Sequence, residues 1–88
     1  TGGVKVHPEM VEDSLRGLID RRFYVKAEPD DKFGEIVVLK IEGMPLSDNL
    51  LAKLQSDMAL RLSKFERPKK ILFMAKFRET DSGKVIRI

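Results

Sequence analysis

The stretch whose residue types and spacing suit chemistry is Arg78-Glu79-Thr80-Asp81-Ser82-Gly83-Lys84-Val85-Ile86-Arg87. A Ser-Gly pair turns the backbone tightly and sets Lys84 on a polar loop, as a cation able to reach a neighbouring surface. Gly83-Lys84 has the ending of a phosphate-binding loop, but that motif needs Gly-x4-Gly-Lys followed by Ser or Thr. Arg78 stands where the first glycine belongs and Val85 follows the lysine, so the phosphate-loop reading fails. Other candidates for chemistry are sparse. His7 precedes a helix, where packing or capping is expected of it rather than general-base work. Glu9 and Glu12 are spaced as a carboxylate pair, yet a helix N-terminus draws acidic side chains without any catalysis. No nucleophile–base pair is present. One histidine and no cysteine leave no thiolate site, no disulfide and no zinc set, so no metal ligand is assigned.

The elements that must position these residues follow from periodicity. Gly2-Gly3-Val4-Lys5-Val6 reads as a glycine turn feeding a short strand. Pro8 suits the first position of a helix whose apolar stripe is Val11, Leu15, Leu18 and Ile19 and whose end falls near Gly17 to Asp20. Residues 22–28 alternate, with Phe23, Val25 and Ala27 on one face and Tyr24, Lys26 and Glu28 on the other. A turn cluster at 29–34 joins this strand to the β-branched run Ile36–Ile41, expected to be central and hairpin-paired with it. Ser47 or Asp48 caps a second helix whose apolar face is Leu51, Leu54, Met58 and Leu62, widened by Leu50. It ends by Lys64, because Pro68 biases Arg67 out of the helical region. Lys69–Phe77 is a third strand, with Ile71, Phe73, Ala75 and Phe77 on one face, and Val85-Ile86 suit a short last strand. The order is β-α-β-β-α-β, an α+β fold with a small mixed three-stranded sheet and two packed helices.

The totals bound the rest. Eighty-eight residues make one domain, and 42% hydrophobic with 35% charged residues is the composition of a folded globular chain. No apolar run approaches the roughly 20 residues of a membrane span. The opening Thr-Gly-Gly-Val-Lys has neither Met nor a signal-peptide core and reads as a cut end of a longer protein. The net charge of +3 hides an asymmetry: residues 1–60 hold 8 Lys/Arg against 11 Asp/Glu, whereas residues 61–88 hold 9 against 3. A basic final third attracts anions, a phosphate-bearing ligand or a nucleic acid alike.

The loop resembles the lysine loop of the acyl-adenylate-forming enzymes, the acyl-CoA synthetase family, which runs roughly Pro-(Lys/Arg)-Thr-x-Ser-Gly-Lys-(Ile/Val)-x-Arg. Thr80, Ser82, Gly83, Lys84, Val85 and Arg87 match it, while Arg78 replaces the proline and Glu79 the basic residue. Two further stretches match in order: Thr1-Gly2-Gly3-Val4-Lys5-Val6-His7-Pro8-Glu9-Met10-Val11-Glu12 resembles the segment opening the family's small C-terminal domain, and Leu62-Ser63-Lys64-Phe65-Glu66-Arg67-Pro68-Lys69-Lys70 the segment preceding the lysine loop. The resemblance covers the whole chain. It implies that residues 1–88 are a mobile C-terminal domain, inactive alone and cytoplasmic, whose partner is its own large N-terminal domain. That domain would supply the hinge, the acyl pocket and most of the grip on ATP and Mg2+. It implies ATP and coenzyme A as co-substrates of a small carboxylic acid, with Lys84 catalytic in adenylate formation and Thr80, Ser82 and Gly83 shaping its loop. Gly2, Gly3, Val4 and Lys5 would line the pantetheine channel, and Phe65, Arg67 and Lys69 would meet the nucleotide end of CoA; Phe65 equally suits a core position, and Arg67 and Lys69 a solvated rim. Within the family, the opening and the compact middle look most like O-succinylbenzoate–CoA ligases of menaquinone biosynthesis, with fatty or aromatic acyl-CoA ligases next.

The β-α-β-β-α-β order also suits an RNA-recognition fold. That fold reads bases with aromatics in a glycine-containing strand pattern. Ile71–Phe77 has no glycine and sets Phe73 and Phe77 beside Ile71 in a core-like row, so no nucleic-acid partner is expected.

Overall fold

The computed structural model describes residues 5–88. Two helices and three strands run in the order α1 (Pro8–Leu15), β1 (Phe23–Asp30), β2 (Gly34–Glu42), α2 (Asp48–Arg61) and β3 (Pro68–Met74). The α+β class and the mixed three-stranded sheet are those expected. The short strand expected ahead of α1 rests largely on Gly2, Gly3 and Val4, which lie outside the described residues; Lys5–His7 are not in a strand.

β2 is central, as expected of its nearly continuous apolar run. It pairs antiparallel with β1, from Phe23 opposite Ile41 to Asp30 opposite Gly34. It pairs parallel with β3, Leu39 opposite Ile71 and Ile41 opposite Phe73, and α2 makes the crossover that a parallel pair needs. β1 extends through Pro29, a residue read from sequence as turn. β1 is an edge strand, where a missing N–H breaks no ladder.

Both helices cover one face of the sheet. Val11 and Leu15 of α1 and Leu54, Met58 and Leu62 of the α2 region close over Val25, Val37, Leu39 and Ile41, with Ile71 and Phe73 packed alongside. α1 stops at Leu15, earlier than the apolar stripe suggests. Gly17 takes a φ of 88°, which ends the helix, while Leu18 and Ile19 still pack against the core from the following loop. Ser47 caps α2 by accepting the Leu50 amide at 3.3 Å, and Arg61 donates to the Ser14 and Arg16 carbonyls, tying the end of α2 to the end of α1. Leu50 does not widen the core stripe: it is more than half exposed, because it sits in the first turn, beyond the edge of the sheet.

The opposite face is covered by the C-terminal segment, and here the sequence reading of Phe77 is corrected. β3 ends at Met74, whose carbonyl accepts the Gly43 amide, and the chain bends at Ala75–Lys76. The bend breaks the alternation, so Phe77 leaves the row of Ile71 and Phe73 and packs on Tyr24, ring centroids 5.1 Å apart. Both aromatics are buried. The Tyr24 hydroxyl donates to the Ile88 carbonyl at 3.0 Å, closing the segment over the sheet.

Candidate functional site

Residues 78–87 form a small hairpin held by its own backbone. Ile86 N–H donates to Arg78 at 2.8 Å, Thr80 N–H to Lys84 at 2.8 Å and Gly83 N–H to Thr80 at 2.9 Å, with Glu79 bridging Val85. Gly83 has a φ of 87°, a backbone state that L side chains rarely adopt, which is why glycine precedes the lysine. The Thr80 hydroxyl accepts the Lys84 amide at 3.1 Å and lies 3.1 Å from the Ser82 hydroxyl. Thr80, Ser82 and Gly83 therefore set the shape of the turn. Lys84 is exposed, and its ammonium has no carboxylate partner among the described residues.

Two ion pairs tie the hairpin to the body. On the returning strand, Arg87 forks onto Glu12 of α1 through contacts of 2.6 and 2.8 Å. Glu12 is only 6% exposed and also accepts the Val25 amide at 2.7 Å. That amide points away from β2, off the open edge of the sheet, so a side chain has to satisfy it. Helix-dipole complementarity, the reading sequence gives for Glu12, is thus corrected: the carboxylate is a buried acceptor joining α1, β1 and the chain end. On the outgoing strand, Arg22 bridges Glu42 at 2.6 Å and Glu79 at 2.9 Å, and Glu42 accepts the Phe77 amide at 2.8 Å. The Arg22 guanidinium and the Phe77 N–H hold the Glu42 carboxyl down at about 2, and the two carboxylates push Arg22 further up. Lys84 borders an open recess of about 540 Å3 shared with Arg16, Arg21, Arg22 and Tyr24.

The expected cluster of Phe65, Arg67 and Lys69 divides. Phe65 is 48% exposed rather than core, and it lines a shallow notch with Lys69, Lys64 and Phe33. Lys69 sits over the Phe33 ring, its nitrogen 4.8 Å from the centroid, and Lys32 lies over the same ring at 5.5 Å. The sequence does not single out Phe33. Its place in the β1–β2 turn faces the start of β3 only once the sheet has formed. The Arg67 guanidinium instead donates to the Ala59 and Leu62 carbonyls, each at 3.2 Å, closing the C-terminal end of α2. Lys5 is exposed, and Gly2, Gly3 and Val4 lie outside the described residues. His7 takes the N-cap position of α1, but its side chain makes no cap hydrogen bond and is exposed. Among the described residues no three His, Asp or Glu side chains gather in a way that would hold a metal ion, and no helix is long and apolar enough to cross a membrane.

The geometry defines a class: a compact α+β module that exposes Lys84 on a braced hairpin, with a cation–aromatic notch elsewhere on its surface. No protein-family model matches the chain. It is 30% identical to a 2-succinylbenzoate–CoA ligase of Lactococcus lactis subsp. lactis and 33% identical to one of Enterococcus faecalis, over 99% and 97% of its own length. An acyl-CoA synthetase (AMP-forming)/AMP-acid ligase II-like protein of Dyadobacter fermentans superposes on 97% of it, with a TM-score of 0.84 and 30% identity, using 25% of that structure's chain. The proteins it is similar to are thus CoA ligases and an AMP-forming acyl-CoA synthetase, and the likeness to each runs over nearly the whole of this chain. It spans 19% and 17% of the length of the two curated relatives.

Proposed function

We propose that residues 1–88 are the mobile C-terminal domain of an AMP-forming acid–CoA ligase, working against a large N-terminal domain of the same protein. The observation that carries the reading is the braced hairpin with Lys84 exposed and unpaired among the described residues. A loop organised by its own hydrogen bonds, yet offering an ammonium to no carboxylate among the described residues, is suited to act on another surface. In adenylate formation a carboxylate and the α-phosphate of ATP, both anionic, must approach each other. A compact ammonium aimed at that point lowers the cost of their repulsion. Thr80, Ser82 and Gly83 hold the backbone from which it reaches. The Mg2+ that accompanies ATP is assigned to the large domain by family resemblance.

For the second step, in which the CoA thiol displaces AMP, Phe65, Lys69 and Phe33 offer an aromatic surface and cations suited to the nucleotide end of CoA. Gly2, Gly3, Val4 and Lys5 are assigned to the pantetheine path by family resemblance. As to the acid, the two curated relatives described above are 2-succinylbenzoate–CoA ligases, which supports O-succinylbenzoate; a place in menaquinone biosynthesis and a cytoplasmic location are assigned by family resemblance. Fatty and aromatic acids are the competing substrates, because the acyl pocket belongs to the large domain. The test is ATP–pyrophosphate exchange by the full-length ligase across a panel of carboxylic acids, followed by CoA addition. Lys84→Ala is expected to lower exchange by about 10²–10³ while sparing thioester formation from a supplied acyl-adenylate. Equal loss of both steps, or exchange at the wild-type rate, would overturn the assignment of Lys84.

A further inference from the structure

The lysine hairpin has two stems, and they are secured differently. The returning stem is fixed by the Arg87–Glu12 fork, half of it buried. The outgoing stem leaves Phe77, buried against Tyr24, and beyond that ring its own tie to the body is Arg22, shared between Glu79 on the hairpin and Glu42 at the end of β2. Glu42 in turn takes the amide of Phe77, the residue at which the C-terminal segment lands on the sheet. The Arg22 guanidinium lies 5.8 Å from the Phe77 ring centroid, so the same cation touches each part of the joint. A lone surface ion pair contributes little to stability. What a shared guanidinium does at this site is geometric: its planar fork fixes where the two carboxylates, and hence the stem and the strand end, stand relative to each other.

We infer that the Arg22–Glu42–Glu79 triad is a positioning device for Lys84, with Glu79 the residue that locks the hairpin to the sheet. The inference rests on the proposed role of Lys84. Lys84 lies five residues beyond Glu79, on a hairpin stiffened by its own hydrogen bonds, so a pivot at the stem is carried directly to the ammonium. An error of about 1 Å at a reacting centre costs on the order of 100-fold in rate. Glu79 is therefore a positioning residue rather than a catalytic one, since it acts only through where it holds the hairpin. Its charge is essential to the device: Glu79 meets Arg22 at 2.9 Å, and a basic residue at position 79 would be repelled by that guanidinium instead of held by it.

The experiment uses Glu79→Lys, Glu79→Gln and Lys84→Ala in the full-length ligase, reading adenylate formation by pyrophosphate exchange and thioester formation from supplied adenylate. Backbone 15N relaxation at residues 79–84 of the 88-residue chain reads the hairpin directly. Glu79→Lys is expected to lower the kcat of adenylate formation about 10- to 100-fold with KM for ATP within about twofold, and to leave the thioester step within about twofold. The same variant should show increased motion at 79–84, and Glu79→Gln, which keeps an acceptor for Arg22, should be milder in both readouts. If Glu79→Lys leaves kcat unchanged while Lys84→Ala lowers exchange by about 10²–10³, the lock is refuted and the role of Lys84 stands. Should Lys84→Ala also retain exchange, the Lys84 reading itself has failed and the lock falls with it. Equal loss of both steps in Glu79→Lys would mark a general structural role and overturn the inference.

Discussion

Replacing Glu12 should damage this domain more than any other single charge removal in it. Its carboxylate accepts the Val25 amide at 2.7 Å and both Arg87 terminal nitrogens at 2.6 and 2.8 Å, at a site 6% exposed. Glu12→Ala removes all three interactions. Val25 is 1% exposed, so its N–H is left without a partner where water scarcely reaches, at about 1–3 kcal/mol. Arg87 has a side chain 48% exposed and returns to water, so losing its half of the pair adds only about 0.5–1 kcal/mol. The expected loss is about 1.5–4 kcal/mol, or roughly 6–30 °C in Tm for a domain of this size. Glu12→Gln keeps one oxygen for Val25 and should cost about 1 kcal/mol, while Arg87→Ala leaves the Val25 bond intact but strands the buried Glu12 carboxylate without its cation and should cost about 1–3 kcal/mol. Urea denaturation at neutral pH, with thermal melts beside it, orders the three variants. The reasoning fails if Glu12→Ala costs no more than Glu12→Gln, because the acceptor kept for the Val25 amide would then contribute nothing.

Two further outcomes follow from the same geometry. Glu42 has a folded-state value of about 2 against an ordinary 4.5, so its contribution to stability is fully present above about 4.5 and is lost as pH falls from there toward 2. The stability deficit of Glu42→Gln relative to wild type should accordingly be constant near neutral pH and shrink through that window. A carboxyl resonance of Glu42 titrating near 4.5 would contradict it. Phe33→Ala should raise KM for CoA about tenfold in thioester formation, since stacking on one base is worth about 1–3 kcal/mol; an unchanged KM would remove the notch from the CoA path.

Sequence made the strands and helices legible because burial there repeats with a period. Ile36–Ile41 can only be central, and Val11 with Leu15 can only face a core. Legibility ended where the chain stops repeating. Phe77 continues the every-second-residue row of Ile71, Phe73 and Ala75, and only the bend at 75–76 shows that it crosses to Tyr24. The turn at Ser82-Gly83 was readable, because glycine at a positive φ is a local requirement. The braces were not: Arg22, Glu42 and Glu79 are separated by 20 or more residues, as are Glu12 and Arg87, and charged residues in a chain that is 35% charged carry no mark of their partners. Arg67 shows the converse. Its type and position suit a phosphate, yet its nearest acceptors are the last carbonyls of α2, a competition visible only in three dimensions.

The two candidate surfaces also constrain how the domain can work. The Lys84 hairpin is braced at the start of β1 and the end of β2, through Arg22 and Glu42. The notch of Phe33, Phe65 and Lys69 lies at the other end of the sheet, where β2 begins at Gly34 and β3 at Pro68. Between Ile36 and Glu42 the central strand alone spans roughly 20 Å at about 3.3 Å per residue. A domain this compact cannot bring both ends to one reaction centre in a single pose, because its core packs from one end of the sheet to the other. If Lys84 serves the first half-reaction and the notch the second, the domain has to turn as a unit between them. Stiffness is then a functional requirement, since a hairpin that flexed on its stem would lose its aim at each rotation. The two ion-pair braces meet that requirement at both stems without adding length or burying the lysine they aim.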